Sequence, residues 1–286
     1  PAHYASLAGT AGTSYPVRLD PDTSATAHSF EAACAAVGGG IALIDAVLDG
    51  RVDNGFALPR PPGHHALPHR SMGFCLFNNI AIAAEHLVRR RGQKRVAVVD
   101  FDVHHGNGTQ DAFYERPDVL FCSSHQWPFY PGSGRAQEIG EGAGQGFTLN
   151  MPLPYGVEDE PFLGLWTRGV IPVLKEYAPE FILVSAGYDA HRADPIGGMQ
   201  LTSELYGRLS KTLVETAQEV CGGRIVFFLE GGYHLQALAE SVAYGVRALL
   251  GDLADLDARP GDDDGEGDEL FAPTRRALKD YWKVLR

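Results

Sequence analysis

The sequence predicts an α/β protein, folded as a three-layer α/β/α sandwich around a mainly parallel sheet. Short apolar runs alternate with longer helical stretches along the 286 residues. Runs such as 95–100 (Arg-Val-Ala-Val-Val-Asp) and 181–185 (Phe-Ile-Leu-Val-Ser) are apolar on both faces. This pattern is typical of parallel strands that helices cover on both sides. Because nothing interrupts the alternation, residues 1–286 are interpreted as a single domain.

The predicted elements follow one another without an internal repeat. Strands are expected at residues 55–59, 95–101, 118–123, 147–151, 181–186 and 224–229. Helices are expected at residues 28–49, 77–92, 159–178, 202–220, 234–250 and 273–285. The helix at 202–220 is expected to start at Thr202 to Glu204 and to end at Gly222–Gly223.

The net charge of −12 is unevenly distributed along the chain. Residues 252–269 hold nine acidic residues and one arginine, interspersed with proline and glycine. This composition predicts a solvated acidic loop. The sequence has no basic stripe, which argues against direct binding of nucleic acid.

Hydropathy and cysteine usage indicate in which cellular compartment the protein is expected. No apolar run is judged to approach the roughly 18 to 20 residues that span a bilayer, and no signal peptide follows Pro1. The four cysteines form no Cys-x-x-Cys pair, and Cys75 and Cys122 are interpreted as small buried side chains. We therefore expect a reduced, cytoplasmic protein without a membrane partner.

Polar side chains follow five of the predicted strands. These side chains are His64–His65, Asp100 to His105, Ser123 to His125, Asp189 and Tyr233. Open parallel sheets bind their ligands at the carboxyl ends of the strands. We therefore expect the five segments to converge on one site.

Asp102, His104 and Asp189 are the expected metal ligands. Asp102 and His104 are two residues apart, so on an extended strand end their side chains point to the same side. Three protein ligands with an open position are typical of catalytic zinc, although two carboxylates and one imidazole also suit Mn²⁺ or Fe²⁺. In the alternative interpretation Asp100 and Asp102 only cap a helix that begins near Asn107. The presence of His104 and Asp189 argues against it.

The pair His64–His65, in a proline-rich loop, is expected to transfer protons. A neutral imidazole can take a proton from a water activated by the metal and return it to a leaving amine. Asp100 and Asn107 are available to orient the two rings. The glycines before Tyr233 could bring its phenol over the metal as a donor to an oxyanion. Alone, a His-His pair is usually only solvated, and a Gly-Gly-Tyr sequence is usually only a turn.

Five motifs in this order resemble the histone deacetylase family. They are RPPGHHA (60–66), GFCLFNN (73–79), VDFDVHHGNGTQ (99–110), SAGYDAH (185–191) and LEGGYHL (229–235). The chain looks most like the class II branch and its bacterial relatives, the histone deacetylase-like amidohydrolases and the acetylpolyamine amidohydrolases. The resemblance implies an arginase/deacetylase fold and hydrolysis of an N-acetyl amide to amine and acetate.

The resemblance also implies a role for each site residue. Asp102, His104 and Asp189 would bind zinc, His65 would be the general base and acid, His64 would pair with Asp100, and Tyr233 would polarise the acetyl carbonyl. Asn107 stands where class I members have aspartate, and asparagine is the class II form.

A narrow tunnel for an acetylated lysine side chain is implied as well. Phe74, after Gly73, matches one wall, and Tyr130 sits where the opposite wall is usually phenylalanine. Asp22 lies near the position of a rim aspartate that holds the substrate backbone. Ile196 occupies a position where a polyamine-preferring branch has glutamate, and an apolar residue there removes a counter-charge for an acetylated polyamine.

The family carries K⁺ near the zinc and at a second, peripheral site. The first site would fall at Asp100, Asp102, His104, Ser123 and Ser124, and the second at Phe113, Arg116, Val119 and Phe147. The family's usual opening strand and first loop have no counterpart before Pro1, so part of the tunnel mouth lacks sequence support. The resemblance leaves homo-oligomer formation open.

The main hypothesis is a zinc-dependent deacetylase that acts on acetyl-lysine-like side chains. One alternative is hydrolysis of acetylpolyamines or other small N-acyl amines. A non-catalytic binder of acylated amines is a third interpretation, which the complete set of His65, Tyr233 and metal ligands disfavours. A two-metal hydrolase is disfavoured because only Asp189 is acidic in its motif. His191 is expected to be a solvated loop residue, and His125 to pack below the site.

Overall fold

The computed structural model describes residues 2–286 and is built around a six-stranded parallel sheet. Within this range the strands are β1 (Val17–Arg18), β2 (Ser24–Ala25), β3 (Gly55–Ala57), β4 (Val96–Asp100), β5 (Val119–Gln126), β6 (Thr148–Leu153), β7 (Phe181–Ala186) and β8 (Ile225–Leu229). The large sheet has the order β3-β8-β7-β4-β5-β6, and β1 pairs with β2 in a separate antiparallel hairpin.

Helices cover both faces of the sheet. They are α1 (Ala2–Ala8), α2 (Ser29–Leu48), α3 (Asn79–Arg89), α4 (Asn107–Phe113), α5 (Asp159–Leu165), α6 (Ile171–Tyr177), α7 (Ser203–Cys221), α8 (Leu235–Leu249) and α9 (Glu266–Leu278). On β4, Val96 and Val98 pack in one core layer with α2 and α3, whereas Ala97 and Val99 pack in the other with α5 to α7. Because both faces are buried, the strands are continuously apolar. The predicted three-layer α/β/α sandwich is confirmed.

The strand register aligns the carboxyl ends of the central strands. Asp100, the last residue of β4, pairs with Ser123 of β5 on one side and with Ser185 of β7 on the other. The segments that follow β4, β7 and β8 therefore leave the sheet along one edge, and this edge holds the candidate site.

Three predicted strand ends were wrong by two residues or more. The strand predicted at 147–151 continues to Leu153. The strand predicted at 55–59 ends at Ala57, because Pro59 has no N–H for the ladder. The strand predicted at 118–123 continues to Gln126, because the polar residues after Cys122 still pair with β6. The helix predicted at 159–178 is present, but it contains a π-helical turn at Trp166–Val170 between α5 and α6.

The prediction for the C-terminal region was wrong in its boundaries. The last long helix is α9 at Glu266–Leu278 and not 273–285, and the predicted acidic loop at 252–269 ends where α9 begins. Three acidic side chains lie in the first turn of α9, where the helix dipole favours negative charge. The acidic composition therefore marks a helix start as well as a solvated loop.

Ion pairs hold this helix start in place. Arg168, in the π-helical turn, binds Asp263 at 2.5 Å and Asp268 at 2.7 Å. The Asp263 carboxylate also accepts a hydrogen bond from the backbone N–H of Gly267 at 2.9 Å. A residue about 100 positions earlier thus contacts the start of α9.

Helix α2 is more apolar over its length than the sequence analysis expected of any segment. By length and composition alone it could cross a membrane, since its 20 residues contain an 18-residue window of mean hydropathy 1.7. The expectation that no run approaches this length was wrong, because the isoleucine, valine, leucine and alanine residues of α2 outweigh its glycines and its two acidic residues. In the fold, Ile44 and Val47 of α2 are buried against the sheet, and Gly40 lies against Phe228.

Candidate active site

Three side chains that can bind a metal meet beyond β4 and β7. Possible ligand atoms of Asp102, His104 and Asp189 all lie within 4.8 Å of one another. His104 Nδ1 is 3.1 Å from Asp102 Oδ1 and 3.0 Å from Asp189 Oδ2. The structure therefore brings together the three residues that the sequence analysis selected as ligands.

Asp102 and His104 do not meet on the extended strand end that the sequence analysis expected. Because β4 ends at Asp100, Asp102 and His104 lie in the turn after the strand rather than on it. The backbone N–H of Asp102 donates to Asp100 Oδ1 at 3.1 Å, and that of His104 donates to Asp102 Oδ1 at 2.9 Å. Side chain to backbone hydrogen bonds thus shape the turn.

The charges around this cluster fit a divalent cation. Asp102 and Asp189 are fully buried, and buried carboxylates require a positive partner. Burial works against a charge on His104, but Asp189 and Asp102 outweigh it and raise the His104 pKa to about 10. A metal ion would supply the same positive charge. Two oxygen donors and one nitrogen donor suit Zn²⁺, Fe²⁺ or Mn²⁺.

The paired histidines lie beside the cluster in different hydrogen-bonding states. His64 Nδ1 is 2.9 Å from Asp100 Oδ2, and His65 Nδ1 is 2.8 Å from Asn107 Oδ1. Since the Asn107 oxygen accepts, His65 carries its hydrogen on Nδ1 and keeps a lone pair on Nε2. Burial and the nearby charges of His64 and His104 lower the His65 pKa, which favours the neutral base.

A buried carboxylate that the sequence analysis left without a role holds the histidine loop. Glu230 Oε2 accepts hydrogen bonds from the N–H of Gly63 at 2.7 Å and of His64 at 3.1 Å. Glu230 Oε1 accepts one from Ser185 Oγ at 3.0 Å. Burial raises the Glu230 pKa to about 7. An acidic residue directly after a buried strand was the signal that could have identified it.

A second carboxylate holds the turn that carries Tyr233. Asp194 Oδ2 accepts a hydrogen bond from the Tyr233 N–H at 2.7 Å. Gly231 N–H donates to Asp102 Oδ2 at 2.9 Å, and a Cβ at this glycine would lie 2.2 Å from Asp189 Oδ2. Burial and the charge of Asp189 raise the Tyr233 pKa, so the phenol stays protonated and can donate a hydrogen bond.

These groups line one cavity of about 170 Å³. Its lining comprises Asp22, Pro62, His64, His65, Gly73, Phe74, Cys75, Asp102, His104, Tyr130, Asp189, Ile196, Gly231 and Tyr233. Every residue expected at the tunnel is therefore at this cavity. The Tyr130 ring stands perpendicular to His65 with centroids 5.1 Å apart, and Phe74 contacts Tyr233 edge to face at 6.1 Å. Phe74 and Tyr130 thus form aromatic walls of the cavity, and the histidines and carboxylates form its polar floor.

The residues expected at the potassium sites lie in two places. Ser123 and Ser124 are buried in β5, where Ser123 Oγ lies 3.0 Å from His125 Nδ1 and Ser124 Oγ accepts a hydrogen bond from Trp166 Nε1. The second group, Phe113, Arg116, Val119 and Phe147, lies at the end of α4 and near the starts of β5 and β6. Both potassium sites remain predictions.

Two further histidines are buried near the site. His125 is fully buried and packs against His105 with ring centroids 4.7 Å apart. The expectation of a solvated His191 was wrong, because its side chain lies between the loop after β7 and α7. His191 Nδ1 accepts from Ala193 N–H at 3.1 Å, and Nε2 is 3.2 Å from Ser203 Oγ.

Comparison with known proteins leads to the same family as the five motifs. The family model of the histone deacetylase domain matches residues 3–249. The chain is 51% identical over 235 residues to histone deacetylase 14, chloroplastic, of Arabidopsis thaliana, covering 80% of this chain and 56% of that protein. It is 42% identical over 232 residues to a probable deacetylase of Archaeoglobus fulgidus, covering 81% and 64%.

Two more relatives extend the comparison. The chain is 43% identical over 265 residues to polyamine deacetylase HDAC10 of Homo sapiens, covering 90% of this chain and 39% of that protein. It superimposes on the crystal structure of the HDA15 HD domain with a TM-score of 0.89 and 36% identity, covering 99% and 77%. The chain spans less than two thirds of the length of each curated relative named here. Motifs, fold and matched range agree, and the chain belongs to the histone deacetylase family.

Proposed function

We propose that this protein is a zinc-dependent deacetylase that hydrolyses the N-acetyl amide of acetyl-lysine-like side chains. The observation that carries the proposal is the composition of one cavity. A three-residue metal-ligand cluster, an imidazole with a free Nε2 and a protonated phenol lie at its floor, between aromatic walls. This is the set of groups that metal-assisted amide hydrolysis requires.

Asp102, His104 and Asp189 would hold the metal. When bound, the ion supplies Lewis acidity toward the acetyl oxygen and the attacking water. Zinc is proposed because three protein ligands with an open position are typical of its catalytic sites. Potassium at the two predicted sites is proposed on family resemblance alone, and elemental analysis of the purified protein tests both ions.

The other residues would move protons and stabilise charge. His65 accepts a proton from the attacking water at Nε2 and returns it to the amide nitrogen as the C–N bond breaks. The products are a free amine and acetate, which keeps the water oxygen. Asn107 fixes the His65 tautomer, and the Tyr233 hydroxyl donates to the acetyl oxygen as negative charge develops there.

The cavity walls favour an unbranched aliphatic substrate. Phe74 and Tyr130 offer aromatic surface for a chain of methylene groups, and Asp22 lies at the same cavity as an acceptor for a substrate backbone. Ile196 offers no counter-charge to a second amine. For this reason we propose acetyl-lysine over acetylpolyamine as the substrate.

Acetylpolyamine hydrolysis is the second candidate. It is supported by 43% identity to a human protein named polyamine deacetylase and by the net charge of −12, which attracts cations. The two candidates differ in kcat/KM. A ratio well above one for acetylspermidine over an acetyl-lysine peptide would favour the polyamine, and a ratio well below one the lysine.

The decisive experiment is hydrolysis by the purified protein of a fluorogenic acetyl-lysine peptide and of acetylspermidine. Each assay is run as purified, after chelation and after addition of Zn²⁺. Activity that the chelator removes and zinc restores is expected. A zinc-loaded, folded protein that hydrolyses neither substrate would contradict the proposal.

We also propose a reducing compartment, and specifically the cytoplasm. The four cysteines are free thiols, and three of them are buried. Two similar plant proteins are named chloroplastic, which makes an organelle the competing location. Imaging of the tagged full-length protein in its own cell distinguishes the two.

A further inference from the structure

One wall of the cavity has an unfavourable backbone conformation. Phe74 has φ = 65° and the preceding Gly73 has φ = 58°. A residue other than glycine rarely adopts the left-handed region, and strain of this kind persists only where surrounding contacts impose it. Phe74 is 45% exposed, and its ring contacts Tyr233 on one side only, so side-chain packing alone does not impose this conformation.

Backbone hydrogen bonds between Met72 and Cys75, at 3.1 and 2.9 Å, close this turn. The β1–β2 hairpin holds the two residues between them. The N–H of Phe74 donates to Thr23 Oγ1 at 3.0 Å, and the N–H of Gly73 donates to Asp22 Oδ1 at 3.0 Å. The Thr23 hydroxyl in turn donates to the same Asp22 oxygen at 2.7 Å. Thr23 is 3% exposed, so its hydroxyl has little access to water. Both N–H groups of the strained turn are thus accepted by one short hairpin.

The opposite wall shares Asp22 with the hairpin, because the Tyr130 hydroxyl interacts with this carboxylate, but it also has contacts of its own. The Tyr130 ring packs edge to face on His65 at 5.1 Å and on His104 at 6.1 Å. Loss of the Thr23 hydroxyl would therefore loosen the Phe74 wall and leave the contacts of Tyr130 in place.

We infer that Thr23 is a positioning residue that fixes the Phe74 wall and thereby sets the fit of the substrate's aliphatic chain. Thr23 is absent from the cavity lining and acts through Phe74. Asp22 has two roles in this arrangement, since the carboxylate at the cavity also holds the turn that carries the wall. The inference rests on the proposed deacetylase function and names a determinant of its substrate selectivity.

The test removes the hydroxyl of Thr23 and keeps the shape of the side chain. Thr23→Val is nearly isosteric but neither accepts from Phe74 nor donates to Asp22, whereas Thr23→Ser keeps the hydroxyl. Kinetics are measured on an acetyl-lysine peptide and on its acetyl-ornithine analogue, which is one methylene shorter. Loss of two hydrogen bonds is expected to raise KM for acetyl-lysine roughly fivefold to twentyfold in Thr23→Val. The value of kcat should stay within about threefold, because binding along the chain is lost uniformly.

Selectivity is the readout that general destabilisation would not change. One methylene in a fitted apolar site is worth roughly tenfold or more in kcat/KM. The ratio for acetyl-lysine over acetyl-ornithine should therefore fall at least about threefold in Thr23→Val, and remain at the wild-type value in Thr23→Ser. Zinc content and melting temperature are recorded for each variant. Thr23→Ala, which adds no bulk, replaces the valine variant if that variant does not fold.

Two results would overturn the inference while leaving the proposed function intact. One is an active wild type whose KM and selectivity are unchanged by Thr23→Val. The other is an equal loss in Thr23→Ser and Thr23→Val, which would assign the effect to the threonine methyl group. An inactive wild type contradicts the proposed function instead.

Discussion

The imidazole of His65 is the single group on which the proposed chemistry depends most. His65→Ala should lower kcat by roughly 10²- to 10⁴-fold, because no other group at the cavity has a comparable free lone pair. Zinc content should not change, since His65 lies outside the ligand cluster. His69→Ala, an exposed histidine in the same loop, is the matched control. Full activity in His65→Ala would exclude it as the base.

Glu230 is the residue whose substitution should affect stability most among the polar groups around the site. Glu230→Leu removes the acceptor for two buried N–H groups and should lower the free energy of unfolding by about 2–4 kcal/mol. Glu230→Gln keeps an acceptor oxygen for both and can donate its NH₂ to Ser185, so it should fold nearly as stably at pH 5. Urea unfolding of both variants measures the difference. Equal stability of the two would show that the hydrogen bonds contribute little.

The same residue predicts a pH dependence. The folded pKa of Glu230 is about 7, above the usual 4.5, so folding favours its protonated form. Its contribution to stability is therefore complete below pH 4.5 and is lost as pH rises through 7. The unfolding free energy of the wild type, relative to Glu230→Gln, should fall by a few kcal/mol between pH 4.5 and 8, about 1.4 kcal/mol per unit of pKa shift. Parallel pH curves would contradict this.

At the scale of secondary-structure elements, we expect Arg168 to hold the start of helix α9 against the rest of the protein. Arg168→Met should release the start of α9 because Asp263, whose side chain is 6% exposed, loses its ion pair. The expected cost is about 1–2 kcal/mol, with faster proteolysis between residues 252 and 266. Arg275→Met also removes a partner of Asp268, but from an exposed position, and should have a smaller effect. Equal protease resistance in Arg168→Met and wild type would show that α9 is held by its apolar face alone.

For the whole molecule, metal binding should be coupled to folding. The proposed ligands come from two distant loops and converge only in the folded chain, so a metal ion would bind the native state preferentially. At 100 times Kd, zinc should add about 2.7 kcal/mol to the free energy of unfolding. The melting temperature is measured with zinc and with chelator. Asp189→Ala should abolish the shift, and a persistent shift would place the metal elsewhere.

The sequence predicted the sheet and the site for the same physical reason. Strands buried on both faces are continuously apolar, so their positions are visible without tertiary information. Once they are taken as parallel, their carboxyl ends must share one edge, and the polar residues that follow them must meet there. This is why Asp102, His104 and Asp189 could be grouped although 87 positions separate the first from the last.

The parts that the sequence analysis missed depend on contacts between distant segments. The β1–β2 hairpin has only two residues in each strand and is too short to show a period. The start of α9 depends on Arg168, and the role of Glu230 depends on N–H groups more than 160 positions away. Backbone hydrogen bonds of this kind leave no pattern in a single sequence.

The bond between Glu230 and the loop of His64 also bears on how the protein folds. It joins residues 166 positions apart, across most of the chain. The loop therefore cannot be held until β8 has joined the sheet, and contacts so distant in sequence form slowly. During refolding, secondary structure should return before the protein acquires hydrolytic activity. A chain still emerging from the ribosome would already contain both histidine pairs but could not yet act on any substrate.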